Sequence, residues 1–447
     1  MRFVDTIKNI WKIEDLRQRL VVTFLLILVY RVGCFVSLPG IDPNVLAGLK
    51  SQTSSGLMQL LDMFSGGAFS QASIFALGIM PYITASIVIQ LLGMVLPSFQ
   101  KMQREGESGR MKINQYTRYL TVLILLMQAP AYLFNLQAQV NGAQAGAISL
   151  GWWDVTYMTV VLAGGSMFIM WLGERITDKG IGNGISFIIL IGIIARLPGA
   201  FVEEFAGRAS TAQGGLVMLV IEIIVLFAVV LGAILLVQGT RKVPVQYAKR
   251  IVGNKQYGGA RQYIPLKVNA AGVMPIIFAQ AIMFIPMTLA GFVSTTEASS
   301  GFMKAMTDMT GFWYNFVYFA MIVAFTYFYT AITVRPTQMA EDMKRNNGFI
   351  PGVKPGKKTS DYLDSIMSRI TLPGSFFLGI VAIMPAFAGI CGVSHSFAQF
   401  FGGTSLLILV GVVLDTLQQV ESHLLMHHYD GLMKSGKLKG RTTGAGY

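Results

Sequence analysis

Leu57-Met-Gln-Leu-Leu-Asp-Met-Phe64 runs into Ser65-Gly-Gly67 and Ala68-Phe-Ser-Gln-Ala-Ser73, and then into an apolar run from Ile74 to Leu96. The first piece cannot span a bilayer. A dozen residues reach about 18 Å as a helix, against a hydrocarbon core of roughly 30 Å. Gln59, Asp62 and Ser65 also make lipid a poor solvent for it. A short polar-tinged segment with a Gly-Gly hinge, joined to a true span, fits backbone folded back into a protected, wet cavity. That favours a channel or transporter over inert anchors. The plainer alternative is an outer loop with one helical turn.

Composition sets the class. The chain has 447 residues, 53% hydrophobic and 13% charged, with a mean hydropathy of +0.57. This is an all-α polytopic membrane protein. Ten spans are predicted, at about 20–36, 74–96, 119–134, 155–172, 181–197, 216–237, 271–293, 312–334, 372–390 and 404–424. Of the 35 Lys and Arg, only Lys50, Arg196, Arg208 and Lys304 fall on one side, with Arg31 inside the first span. The rest crowd the other side, which the positive-inside rule makes cytoplasmic, together with both termini. The chain thus divides into an amphipathic N-tail (1–19), a first half (20–213, including 57–73), a second half (214–424) and a C-tail (425–447). An odd number of spans in each half turns the second upside down relative to the first.

Two cytoplasmic loops, 238–268 and 335–370, are longer and more basic than orientation requires. They carry Arg241, Lys242, Lys249 and Arg250, and Lys344, Arg345, Lys354, Lys357 and Lys358. They read as a docking platform for a large acidic partner such as a ribosome, or more simply as contacts to anionic lipid headgroups.

Catalytic chemistry is not legible. The ionisable groups within spans are Arg31, Glu222 and Asp415. Such groups are functional candidates by default, with an ion pair or a helix-end contact as the bland reading. Gly356-Lys-Lys-Thr359 lacks the upstream glycine of a phosphate loop. Gly180-Ile-Gly-Asn-Gly184 is better explained by close helix packing. His423 and His427 share a helix face without a third ligand, and Cys34 and Cys391 both lie in apolar segments. No enzyme, cofactor or metal is expected.

Several pieces taken together carry a resemblance: Phe64-Ser-Gly-Gly-Ala68, Ile74-Phe-Ala-Leu-Gly-Ile-Met-Pro-Tyr-Ile83, Glu105-Gly-Glu-Ser-Gly-Arg110, Gln115-Tyr-Thr-Arg118, Gly180-Ile-Gly-Asn-Gly-Ile-Ser186, Pro265-Leu-Lys-Val-Asn269 and Phe401-Gly-Gly-Thr-Ser-Leu-Leu407. In this order, over essentially the whole chain, they resemble the SecY family, the central subunit of the bacterial protein-translocation channel. The resemblance implies ten helices in two pseudo-inverted halves of five, around an hourglass pore closed by a plug helix. The plug would include Leu61, Phe64, Gly66 and Gly67. The waist would be Ile79, Ile83, Ile189, Ile277 and Ile408, aliphatics that disfavour water and ions yet yield to a passing chain. Thr84, Gln128 and Asn269 match a lateral gate between spans two/three and seven/eight. Implied partners are SecE, SecG, the SecA motor ATPase, the ribosome with its RNA, SecDF, YidC, anionic lipids and unfolded preproteins with signal sequences. The implied place is the bacterial cytoplasmic (inner) membrane. One departure stands out: Lys354 occupies a position where the family usually has Arg, keeping the charge but not the planar fork. The rival reading from the residues is an inverted-repeat secondary transporter of a small solute.

Overall fold

The computed structural model describes residues 13–41, 62, 65–143, 151–209, 215–247, 250–252, 255–257, 261–280, 282–283 and 311–434. Leu61, Phe64 and Lys249, residues 1–12 and 435–447 of the two tails, and much of the seventh expected span lie outside these residues. The chain forms two compact units, Met1–Pro198 with Val412–Tyr447, and Gly199–Gly411.

In chain order the helices are α1 (Glu14–Gly33), α2 (Met80–Val95), α3 (Pro97–Arg104), α4 (Glu107–Ala143), α5 (Trp152–Lys179), α6 (Gly184–Ala209) and α7 (Gly215–Gln238). After a small sheet come α8 (Phe312–Thr333), α9 (Pro336–Arg345), α10 (Lys357–Ile390), α11 (His395–Ala398) and α12 (Gly403–Lys434). Residues 274–280 are also helical. Among the described residues seven helices are long and apolar enough to cross a membrane, and α2 with α3 would add an eighth despite a 103° bend between them. This is a multi-pass membrane protein. The first expected span is helical as α1, but Arg19 and Arg31 bracket its apolar stretch.

The second span differs from expectation at its start. Residues 65–79 form a series of turns, and helix begins only at Met80. Gly78 takes φ +55°, which interrupts helical geometry, and Pro81 in the first turn presets the helix that follows. In the first unit, Ala72 and Ala76 pack with Leu38, Tyr132, Leu133, Met158 and Leu162 in one buried cluster. The Gly180–Gly184 run allows close approach: a Cβ on Gly184 would collide with the Gly173 carbonyl. Gly184 N–H donates to Thr177 Oγ1 at 2.9 Å and Gly182 N–H to Gln419 Oε1 at 2.9 Å.

The second unit holds an element absent from the sequence reading. The basic 238–268 loop folds into strands β1 (Thr240–Tyr247), β2 (Arg250–Val252), β3 (Lys255–Tyr257) and β4 (Arg261–Lys267), and β5 is Gly348–Phe349. β1 pairs antiparallel with β4, from Thr240 opposite Lys267 to Gln246 opposite Arg261. On its other edge β1 pairs with β5, Gln246 opposite Phe349 and Tyr247 opposite Gly348. The two basic loops are therefore one structure. Alternation drives it: Val243, Val245 and Leu266 turn inward onto Met343, Ile350, Leu363 and Met367, while Arg241, Lys242 and Lys267 face out.

α10 starts inside this platform. Its 34 residues reach about 51 Å at 1.5 Å per residue, well beyond a hydrocarbon core of roughly 30 Å. Gly356, at φ +105°, makes the turn into it, a conformation that L side chains rarely adopt.

Val245 is fully buried in the platform core. Val245→Ala should cost about 2 kcal/mol through two lost methyl groups and the space they leave. Faster protease cleavage of the 238–268 loop in membrane vesicles, with the spans still intact, is the expected readout.

Candidate functional site

Of the segment read as a plug, Asp62 and residues 65–73 are described, and most of these are buried in the first unit. Asp62 and Ser65 are each 2% exposed, and Ser73 is fully buried. A non-helical stretch inside an apolar bundle must find partners for its backbone groups, and the turns supply part of them. Gly67 N–H donates to the Asp62 carbonyl at 2.9 Å, and Ser73 N–H to Ala68 at 3.0 Å. Side chains within the segment add more: Phe69 N–H donates to Ser65 Oγ at 3.0 Å and Ser70 N–H to Asp62 Oδ1 at 2.7 Å.

Neighbouring helices add more. From α1, Tyr30 donates its hydroxyl to the Ser65 carbonyl at 3.2 Å, and Arg31 Nη1 donates to the Gly66 carbonyl at 3.0 Å. From α4, Tyr132 donates to the Phe69 carbonyl at 2.9 Å, and its ring meets Phe69 edge-on. From α6, Arg196 forms an ion pair with Asp62 and donates to Ser70 Oγ at 3.3 Å. The far end of the segment is stitched to residues 36–38: Leu38 N–H donates to Ala72 at 2.8 Å, and Ile74 N–H to Val36 at 2.9 Å.

The remaining candidates fall in separate units. Ile79 and Ile189 are buried and Ile83 half-buried in the first unit, with Ile79 and Ile83 one turn apart at the start of α2. Ile408 is buried and Ile277 half-buried in the second. Thr84 is exposed and donates to its own helix at Met80, and Gln128 is exposed on α4. Asn269, in the second unit, has its Oδ1 buried without a hydrogen-bond partner.

The family model of SecY matches residues 73–417. The protein translocase subunit SecY of Chlamydia muridarum is 39% identical, over 98% of this chain and 99% of that protein. The SecY of Thermotoga maritima is 39% identical, over 97% and 99%. The chain belongs to the SecY family. Among solved structures, one concerned with how the plug domain of the SecY protein stabilises the closed state of the translocation channel aligns with a TM-score of 0.62 at 18% identity, covering 91% of this chain and 92% of that one. Sec61 in the canine ribosome-channel complex aligns with a TM-score of 0.57 at 18% identity, covering 91% and 92%. Both share its fold.

The docking candidates gather on the second unit of this SecY-family chain. Arg241, Lys242, Lys344, Arg345, Lys354, Lys357 and Lys358 are all exposed. The β1–β5 pairing brings their two loops into one platform. Strand alternation at Val243-Pro-Val245 and Ile264-Pro-Leu266 was the available signal for this sheet, obscured by prolines and dense charge.

The intramembrane charges resolve differently from one another. Glu222 pairs with Arg208, which also bonds Glu204, and all three are buried. Arg208 further donates to the Gly392 carbonyl at 2.8 Å, and Ser394 N–H donates to Glu204 Oε2 at 2.7 Å. Asp415 is exposed and accepts from Gln419 at 3.2 Å. Sequence reasoning missed Arg196, Tyr30 and Tyr132. Arg196 stood out only as a basic residue away from the basic side.

Gly66 takes φ +67°, and a Cβ there would lie 3.0 Å from the Gly192 backbone and 2.9 Å from Arg31 Nη1. Gly66→Ala should therefore unseat the segment, whereas Gly67→Ala, whose Cβ would have 3.6 Å to its nearest neighbour, meets backbone strain alone. The expected order of resting ion leak across a planar bilayer is Gly66→Ala above Gly67→Ala above the parent.

Proposed function

We propose that this chain is the pore-forming subunit of a protein-conducting channel in a bacterial cytoplasmic membrane, with both termini in the cytoplasm. It passes unfolded preproteins across and releases apolar helices sideways into lipid. The carrying observation is the polar stretch at Asp62 and 65–73, mostly buried in an apolar bundle and held by hydrogen bonds and one ion pair in addition to the apolar packing of Phe69 and Ala72. Such contacts can be exchanged for water or for a passing chain, as a plug requires. Family membership supports a channel and argues against a small-solute transporter.

In this reading Ile79, Ile83, Ile189, Ile277 and Ile408 form the waist. Branched aliphatics offer no hydrogen bonds, so a narrow gap between them dewets and ions pay a large desolvation cost. Thr84, Gln128 and Asn269 hold the lateral seam, where each intramembrane hydrogen bond is worth about 0.6–2 kcal/mol. The orphaned Asn269 Oδ1 has capacity for one such bond. SecE and SecG flank the channel, SecA or the ribosome engages the basic platform and its RNA contacts, and SecDF and YidC act alongside.

Two measurements test this. Ile408→Asn places an amide at a buried waist position; it should raise resting ion conductance and let defective signal sequences through. Unchanged conductance and unchanged export would remove Ile408 from the waist. At the platform, exposed charge pairs are individually weak, about 0–1 kcal/mol. Lys354→Glu should nonetheless reduce SecA or ribosome binding and leave the spans folded, and Lys354→Arg should strengthen it if a planar fork is wanted there. Full binding by Lys354→Glu would leave this loop with orientation and lipid contact alone.

A further inference from the structure

Arg31 and Arg196 are conspicuous by position. Neither belongs to the basic clusters that set orientation, so topology does not account for them. They enter from different helices, α1 and α6, and both end on the same short segment. Asp62 is 2% exposed, and its carboxylate is shared between the Arg196 guanidinium and the Ser70 N–H at 2.7 Å. Arg196 also reaches the Ser70 hydroxyl at 3.3 Å. Asp62, Ser70 and Arg196 thus close a triangle, and Arg31 holds the Gly66 carbonyl at 3.0 Å.

We propose that Asp62, Arg196 and Arg31 are a charge latch that sets the resting position of this segment, and that parting the Asp62–Arg196 pair is what frees it. The proposal rests on the plug reading and adds to it the groups that hold the closed state. A carboxylate this buried is strongly disfavoured without its cation, so the segment's seat and the ion pair stand or fall together. The pair can still be released, because the Arg196 side chain is 33% exposed and water can take over its hydrogen bonds as the segment leaves. The end beyond the latch does not need to move. The Ser37–Ser73 bridge anchors it to the chain after α1. Between latch and anchor lies Ala72, at φ +42°, a left-handed conformation that a non-glycine residue holds under strain. The segment is therefore clamped at Asp62, Gly66 and Ser70, anchored at 73–74, and strained at the joint between.

The chain carries its own reporter. Cys34 is 2% exposed, with its Sγ 3.9 Å from the Ser65 carbonyl beneath the segment. The other cysteine, Cys391, is exposed. In a Cys391→Ser channel in membrane vesicles, maleimide should label Cys34 slowly at rest and faster with an arrested preprotein. Asp62→Asn and Arg196→Gln should each raise labelling at rest about tenfold or more, and Arg31→Gln by a smaller factor. The exchange Asp62→Arg with Arg196→Asp should bring the rate back towards the parent's. If the arrested preprotein leaves labelling of the parent unchanged, this segment does not move during transport and the plug reading fails with the latch. If the preprotein accelerates labelling but Asp62→Asn and Arg196→Gln label at the parent's resting rate, the plug reading stands and the latch is overturned. Fast labelling that persists in the charge exchange also overturns it, because general loosening then explains the single variants. Should the neutral variants fail to accumulate, Arg196→Lys carries the test. Its single ammonium cannot serve Asp62 and Ser70 in the same fork geometry, so labelling at rest must rise several-fold, and a parent rate overturns the latch.

Discussion

Inside a bilayer there is no water to satisfy a peptide group, and each group left unpaired costs several kcal/mol. Helices meet this constraint alone; residues 65–79, folded as turns, cannot. Their environment is arranged around that deficit. Arg31 brings a long polar side chain to the Gly66 carbonyl and Arg196 to the Asp62 carboxylate and the Ser70 hydroxyl, while Tyr30 and Tyr132 add second hydrogen bonds at the Ser65 and Phe69 carbonyls that the turns already use. Small residues on the neighbouring helices let the chain come close enough to be served. A Cβ on Gly33 would strike the Phe75 ring and one on Gly165 would strike Ile74. The price of keeping irregular backbone in the membrane is a dedicated polar shell, and that shell holds the segment through a handful of hydrogen bonds and the Asp62–Arg196 ion pair.

Much of this was legible beforehand. Apolar run lengths located α4 to α8, α10 and α12, because a run long enough to cross lipid leaves few alternatives to helix. The misfit of 57–73 was visible for the same reason in reverse: Asp62 and Gly66-Gly67 cannot belong to a span. Its partners were not legible. Arg196 and Tyr132 lie far from Asp62 and Phe69 in sequence, and nothing local to them announces a long-range contact. The sheet escaped for another reason. Val243-Pro-Val245 alternates as a strand should, but proline and flanking Arg and Lys argue against a strand locally, and pairing with Ile264 and Leu266 decides the matter.

The buried charges divide by what they hold in place. In the first unit, the Asp62 carboxylate ties Arg196 of α6 to Ser70 in the turns of 65–79. In the second, Glu204, Arg208 and Glu222 join α6 to α7 and, through the Gly392 carbonyl and Ser394 N–H, to the turn after α10. With every member buried, removing one partner from such a triad would leave a charge with no solvent to receive it, a loss of about 3–5 kcal/mol. The same physics therefore makes one cluster a fastening for turns and the other a brace for helices.

α10 runs without a break from Lys357 in the basic platform to Ile390, with Pro373 inside it. Proline removes one backbone hydrogen bond and softens the helix against bending there. Gly374, the next residue, sits against the Val268 carbonyl at the foot of the β4 strand, where a Cβ would lie only 3.1 Å away. The part of the helix that starts in the platform is thus a lever with its elbow at Pro373. Fifteen residues of arm span about 22 Å, so a tilt of about 10° moves the far end by roughly 4 Å. Because Met367 and Leu363 are packed into the sheet, the platform travels with the arm, and a load applied to the basic face becomes a torque on the helix within the membrane.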